Sequence, residues 1–447
     1  MEDINEHGEE ETLSDDDQST DNEDELRHWE ELRRRVERND PTLLGILISE
    51  RSLPPGGDWD QFGASIGGNR FLREITFTLR SRRVGAQFFR GVALNRSIEK
   101  LSLGGCYEED NEMLNSLIPF FKNNHAFQCL RVENYMGGEI YLDTLTHALT
   151  QFNSLKEFEI FDEHNIDGEN ELLEALAGHV GLMKIAIQSI PIDTNGFKAL
   201  SALLRNPRSN IKVLYLEDNE IDDERAKTLS SGLSRNSTLA ELNLSGNRNI
   251  QERGWQAIFE VLKNPNCRLE KLHLSHNYIN DTVAFYLANA MRNNTTLKTL
   301  CLNSIDDITI AGWQNLIAVL LQSPNCTLEE LYLAGNKFYG DAIESLTTGI
   351  ANNRRLRVLN LSNNRGVTAM RWEAFSIILQ NPMLEKLDLS QNSMCDNVMV
   401  SLADALANNT RLRELNLGMN RHVTTIGWQA LSNLLKSPPI QNWRSLI

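Results

Sequence analysis

Leu328-Glu329-Glu330-Leu331-Tyr332-Leu333-Ala334-Gly335-Asn336 and Leu356-Arg357-Val358-Leu359-Asn360-Leu361-Ser362-Asn363-Asn364 are two copies of one pattern, L-x-x-L-x-L-x-x-N. Leu269, Leu272, Leu274 and Asn277 set the same register, as do Leu384, Leu387, Leu389 and Asn392, and Leu412, Leu415, Leu417 and Asn420. Working outward, the first apolar residue of successive copies falls at 43, 72, 98, 127, 155, 182, 211, 239, 269, 297, 328, 356, 384 and 412, fourteen units of about 28 residues. Self-similarity at a fixed period means that each unit buries its apolar face only against its neighbours, so a solenoid is expected. The question of function then moves from a pocket to a surface.

Early units are degenerate but keep register. Phe158 with Ile160, and Ile185 with Ile187, replace leucines; Cys106 and Tyr135 stand where Asn is expected, and Ile305 fills that slot after Leu302. A superperiod lies on top. Gly254-Trp255, Gly312-Trp313, Arg371-Trp372 and Gly427-Trp428 recur every second unit, preceded by Gly196-Phe197, whereas the alternate units begin near Asp281, Asp341 and Asp396 and lack the Trp. A tryptophan stripe at one slot predicts packing between outer helices rather than a ligand cage.

Unit length, two alternating repeat types and the strand motif resemble the ribonuclease-inhibitor-like class of leucine-rich repeat proteins over about residues 40–437. The resemblance implies a right-handed α/β horseshoe with parallel strands on the concave face and helices on the convex one. The residues agree: L-x-L puts alternate side chains on opposite faces of a short strand, the segments between carry helical spacing, and about 28 residues suffice for a parallel crossover. The Asn series 219, 247, 277, 336, 364, 392 and 420 is expected to satisfy backbone groups of the neighbouring turn.

Flanks differ from the repeats. Residues 1–23 are acidic, dotted with Ser and Thr and nearly free of apolar groups, and are expected to be disordered. Ser14, before three aspartates, resembles a site for an acidophilic kinase. From Asp24 to Pro41, Leu26, Trp29, Leu32 and Val36 fall on one helical face, which predicts an amino-terminal capping helix before a solenoid over 42–437. Its Arg33–Arg35 cluster reads as a solvated outer face or as a nuclear address. Ile440 and Trp443 suggest a truncated fifteenth unit, so 438–447 is read as a carboxyl-terminal cap.

The formal charge is −17, of which residues 1–25 contribute −13, whereas 26–100 carry +5. An acidic balance disfavours nucleic acid as partner, because phosphate binding needs a basic stripe. The leader is expected to lie over Arg70, Arg73, Arg80, Arg82 and Arg83 and to screen them. No apolar run reaches the ~18 residues that cross a bilayer, and the amino terminus has no secretory pattern. Six single cysteines without a C-x-x-C pair fit a reducing, cytoplasmic or nuclear compartment.

Catalytic signatures are not expected: neither a phosphate loop, nor H-E-x-x-H, nor G-x-S-x-G, nor a Cys/His cluster with metal spacing. His273 and His276 sit at variable, exposed repeat positions. Two other classes compete with this reading. GTPase-activating proteins of the Ran type place an arginine in an inter-repeat loop, as Arg248 does after Asn247, but Arg365 and Arg421 occupy the same place. A substrate receptor of a ubiquitin ligase needs an adaptor-binding module before the repeats, and only 24–41 is available.

The reading is therefore a non-enzymatic scaffold that binds a protein through the concave face, without cofactor, metal, small-molecule substrate or membrane. Positions three, five and seven of each motif face that side. Tyr215, His273 and Tyr332 are the expected anchors. Glu217, Glu241, Lys271, Glu330, Lys386 and Asp388 are the expected polar contacts.

Overall fold

A computed structural model describes residues 27, 29–49, 58–78, 86–104, 112–134, 139–162, 171–407, 409–435 and 445–446. The chain forms two compact units, Met1–Gly137 and Gly138–Ile447. The leader with Ser14, the arginines at 80, 82 and 83, Cys106, Tyr135, Ile440 and Trp443 lie outside the described residues.

In the first unit a helix over 29–37 precedes strands β1 (Gly45–Ser49), β2 (Glu74–Thr78), β3 (Lys100–Gly104) and β4 (Cys129–Asn134), paired in parallel and in chain order. Strand alternation is visible in β2, where Ile75 and Phe77 are buried while Glu74, Thr76 and Thr78 are part-exposed. Helices Trp59–Gly68, Ala86–Val92 and Glu112–Asn123 make the returns. The Trp29 ring lies tilted 5.0 Å from Trp59 and edge-on 4.8 Å from Phe62, so the first helix is tied to the repeats by aromatic packing. Its basic cluster is spent locally: Arg33 pairs with Glu37 at 2.7 Å, Arg34 with Glu30 at 3.2 Å and Arg35 with Asp40 at 2.7 Å. The Arg35 guanidinium holds the Asp40 carboxyl down at about 2. Two helices of this unit touch backbone to backbone, since a Cβ on Gly63 would come 2.4 Å from the Phe88 carbonyl oxygen.

The second unit repeats the same step eleven times. Its strands are β5 (Glu157–Asp162), β6 (Lys184–Gln188), β7 (Val213–Tyr215), β8 (Glu241–Asn243), β9 (Lys271–His273), β10 (Thr299–Cys301), β11 (Glu330–Tyr332), β12 (Val358–Asn360), β13 (Lys386–Asp388), β14 (Glu414–Asn416) and β15 (Ser445–Leu446). All pair in parallel with their sequence neighbours. Register is exact in the repeat sense: Leu272, Leu300, Leu331, Leu359 and Leu387 stand side by side, all buried. The strand leucines are buried and most residues between them are part-exposed, so one face of the strands is left to the variable residues. The architecture is a leucine-zippered α/β solenoid of parallel strands and returning helices.

The series of asparagines stitches unit to unit. Each buried amide nitrogen donates to a carbonyl of the preceding unit: Asn219 to Ile187 at 2.6 Å, Asn247 to Leu216 at 2.7 Å, Asn336 to Leu302 at 2.8 Å and Asn392 to Leu361 at 2.9 Å. Several amide oxygens accept in turn: Asn247 takes the Asn219 N–H at 3.1 Å and Asn336 takes the Ile305 N–H at 2.7 Å, whereas the oxygens of Asn277 and Asn364 are buried without a partner. The residue before each slot turns back through positive φ, with Asp218 at 54°, His276 at 60° and Ser304 at 53°. Ile305 keeps the fold of the turn but brings no amide to the ladder.

A second ladder runs along the helix ends and was not anticipated. Asn236 donates to Leu204 O at 2.9 Å while its oxygen accepts the amides of Thr238 and Leu239 at 2.9 and 2.7 Å. Asn353 repeats this on Leu321, Arg355 and Leu356 at 3.0, 2.8 and 2.7 Å. Its sequence trace is the Asn that closes each helix, as in Asn352-Asn353 or Asn381-Pro382. At one position the slot holds His179, 1% exposed, whose Nε2 donates to Leu149 O at 3.0 Å. Burial lowers the pKa of this imidazole, only partly opposed by the Leu149 carbonyl, and Nδ1 has no hydrogen-bond partner.

The two-unit superperiod has a physical cause. Helices Asp223–Leu233, Asp281–Met291 and Asp396–Leu406 begin with an aspartate that reaches the amino end of the next helix. Asp223 accepts from Gln251 N and Gly254 N at 2.8 and 2.9 Å; Asp281 from Thr309 N and Oγ1 at 2.8 and 2.6 Å; Asp396 from Thr424 N and Gly427 N at 2.7 and 3.1 Å. Each carboxylate therefore meets the positive end of a helix in the following unit as well as its own. The glycine before Trp makes room for it, since a Cβ on Gly312 would fall 2.1 Å from Asp281 Oδ1. Arg371 replaces that glycine once, and there the acids pair with it instead, Asp341 at 3.1 Å and Glu344 at 2.6 Å. Trp255, Trp313 and Trp372 are buried between helices as expected. Trp428 is 39% exposed because it sits on the last described helix, Thr425–Leu435, with no later described helix against it.

Three outcomes follow from this packing. Asn336→Leu strands the Leu302 carbonyl and the Ile305 amide, and should cost about 1–3 kcal/mol in urea unfolding; an unchanged midpoint contradicts the ladder. Gly312→Ala should destabilise by about 1–3 kcal/mol, but by less in an Asp281→Ala background, where the clashing carboxylate is gone; additive effects contradict the pairing. For His179 the sign is set by burial: below the ordinary imidazole value of 6.5 the unfolded chain takes a proton that the native one refuses, so stability falls as pH drops through 6.5. Thermal unfolding of His179→Asn between pH 7 and 5 should show a shallower pH slope than the parent.

Candidate functional site: the strand face of the second unit

Period two in the strands puts one residue in two on the leucine floor and the other on the open face. In register, Tyr215, Asn243, His273, Cys301, Tyr332, Asn360, Asp388 and Asn416 form one row. A parallel row carries Val213, Glu241, Lys271, Thr299, Glu330, Val358, Lys386 and Glu414. Eight of the nine expected contact residues stand in these rows, and Glu217 lies two residues beyond Tyr215.

They form three groups. In the first, the Tyr215 hydroxyl donates to Glu241 Oε1 at 2.5 Å, Lys271 Nζ lies 3.3 Å from Glu241 Oε2, and His273 Nε2 lies 3.4 Å from Glu241 Oε1. Lys184 sits 5.5 Å over the Tyr215 ring and pairs with Glu159 at 2.6 Å. Glu217 is held apart, accepting from Asn243 at 3.0 Å. In the second group Glu330 accepts from Thr299 at 3.2 Å and from the Tyr332 hydroxyl at 3.3 Å. In the third, Lys386 pairs with Glu414 at 2.8 Å and Asp388 accepts from Asn416 at 3.1 Å.

Protonation follows the packing. Burial pushes the Tyr215 hydroxyl well above the phenol range, and its bond to Glu241 adds to that; burial and the charge of Glu330 push Tyr332 up to about 12. Burial pushes the Glu241 carboxyl up, but the bonds from Tyr215 and Lys271 outweigh it and leave the group below its usual value. Cys301, 7% exposed, is pushed up to about 12 by burial and by Glu330 and Glu241, so it is a thiol and a poor nucleophile.

His273 corrects an expectation. Its side chain is 27% exposed, not a free surface group, and burial lowers its pKa against the pull of Glu241. His276 is exposed, on the turn. Lys184, Glu159, Asn243, Glu414 and Asn416 were missed as participants, although they occupy the same motif positions in units before, within and after the ones singled out. Arg248, Arg365 and Arg421 are exposed at one equivalent turn position, so the arginine is a property of the repeat type.

Other chemistry finds little footing. Gly63-Ala64-Ser65-Ile66-Gly67 matches G-x-S-x-G, contrary to the expectation that no such signature occurs, but it lies mid-helix with the Ser65 hydroxyl donating to Gln61 O at 3.0 Å. A nucleophile elbow needs a strand-to-helix turn instead. Among the described residues no group of three or more His, Cys, Asp or Glu could hold a metal ion, and no helix is long and apolar enough to cross a membrane.

Comparison with known proteins adds to this geometry. A family model described as "Leucine Rich repeat" matches residues 235–259. The human "NACHT, LRR and PYD domains-containing protein 14" is 30% identical over 278 residues, 61% of this chain and 25% of its own length. A "Protein phosphatase 1 regulatory subunit 37 homolog" of Caenorhabditis briggsae is 27% identical over 216 residues, 47% of this chain and 23% of its own. The chain thus spans about a quarter of the length of these curated relatives. A solved complex of Rad7 and Elc1 from yeast includes a chain 17% identical, with TM-score 0.49 and coverage of 97% and 94%. The L-x-x-L-x-L-x-x-N register, the parallel strands, the buried asparagines and the repeat-model match agree in making this chain a stack of leucine-rich repeats.

Proposed function

We propose that this chain is a protein-binding scaffold whose strand face between β5 and β14 holds a partner. The observation that carries the reading is the arrangement of that face: tyrosines, carboxylates and lysines in register on a floor of buried leucines. Tyrosines supply much of an interface's energy and charged groups its specificity when a rigid surface presents them. Tyr215 and Tyr332 are fixed by hydrogen bonds to Glu241 and Glu330, so little side-chain entropy remains to be lost on binding. Tyr215, Tyr332 and His273 act as anchors, and Glu217, Glu241, Lys271, Glu330, Lys386 and Asp388 set specificity. The worm relative is named as a regulatory subunit, a role exercised through another protein, which agrees with this reading.

Affinity purification of the full chain beside a Tyr215→Ala/Tyr332→Ala variant tests it. The double variant should keep its unfolding temperature within a few degrees and lose the partners that the parent retains, with at least about a tenfold drop in affinity. Retention of every partner by the double variant contradicts use of this face.

A further inference from the structure

The strand face has more acid than its own bases can answer. From β7 to β14 its open positions carry Glu217, Glu241, Glu330, Asp388 and Glu414 against Lys271 and Lys386. Both lysines are engaged, with Glu241 at 3.3 Å and Glu414 at 2.8 Å. Glu217, Glu330 and Asp388 are instead met by neutral donors: the Asn243 amide, the Thr299 and Tyr332 hydroxyls, and the Asn416 amide. Such bonds leave the negative charge in place, so a partner that meets these positions is favoured if it brings cations.

Shape narrows the choice. A shallow depression spans β11 to β14, lined by Tyr332, Val358, Asn360, Lys386, Asp388 and Glu414. Asn360 stands between Tyr332 and Asp388 in one register row, so the ring and the carboxylate rise two strands apart, roughly 9.5 Å. That gap is wide enough for one planar group stacked on the ring with its edge toward the acid. The first group shows the same combination in use within the chain: Lys184 lies 5.5 Å over the Tyr215 ring and is bonded to Glu159.

Resting on the strand-face reading, we infer that the depression between Tyr332 and Asp388 seats an arginine side chain of a protein partner, presented on an extended segment that crosses the strands. The guanidinium stacks on Tyr332 and donates in a fork to Asp388. Arginine is preferred to lysine because a planar guanidinium can stack on the ring and at the same time fork to the carboxylate across the gap. Glu330, beside the depression on β11, adds a second negative charge without a lysine of its own, and Lys386 is drawn off toward Glu414. Because opposite charges carry the contact, binding weakens with salt.

The test pans a phage library of linear twelve-residue peptides on the full chain, then resynthesises the best binder with arginine, lysine or citrulline at the enriched position. Selected peptides should be enriched in arginine over the starting library. Citrulline should weaken binding about tenfold, as should Asp388→Asn and Tyr332→Leu in the protein. Asp388→Asn keeps the oxygen that accepts from Ser390 N at 2.9 Å, and its unfolding temperature confirms that it folds. Peptides without arginine preference, equal binding of the citrulline form, or no retained peptide overturns the inference. Binding that falls with Tyr215→Ala but not with Asp388→Asn overturns this seat and leaves the strand-face reading standing; binding indifferent to every strand-face substitution overturns both.

Discussion

A buried backbone group in one unit finds its partner in the unit beside it, and the molecule depends on that exchange. A short strand between two turns cannot satisfy its own carbonyls, and an unpaired one is costly in a leucine-lined interior. Two rows of asparagine solve this on both sides of the layer. Asn247 or Asn336 bridges at the strand end, and Asn236 or Asn353 at the helix end. No unit is complete without its neighbour, which is why the structure grows by stacking.

That arrangement frees the other side. Because leucines and asparagines carry most of the stack, residues on the open strand face are freer to vary in size and charge, although several of them bond across neighbouring units. The variation is not random in space: Tyr215, Glu241, Lys271 and His273 gather on three neighbouring strands, and Tyr332 with Glu330 on a fourth. Short, stiff strands beneath these groups fix their spacing, so the surface is organised before any partner arrives.

Much of this was legible in the sequence because period and chemistry coincide. Leu272 or Leu359 announces strand, floor and register together, and the asparagine eight residues after the first leucine announces the turn. What escaped had weaker marks. The helix-end asparagines sit among other Asn and Ser residues, and His179 in that slot looks nothing like an amide although it donates the same bond. The partial burial of His273 is hidden from the sequence, because spacing shows which face a residue takes but not how far Tyr215 and Glu241 lean over it. The role of Asp281 could not be seen without knowing that its carboxylate reaches an amide 28 residues away.

The aspartate and glycine that meet across adjacent helices also restrict how such a chain can change length. A carboxylate on one side of the seam presupposes a missing side chain on the other, so neighbouring modules are matched as left and right halves. Loss or duplication of one module would set two left halves, or two right halves, against each other: acid with nothing to hold, or a hollow with nothing in it. Exchange in even numbers preserves every seam. Where Arg371 fills the hollow, the neighbouring acids have become its counterions, the mark of a seam rebuilt from both sides at once.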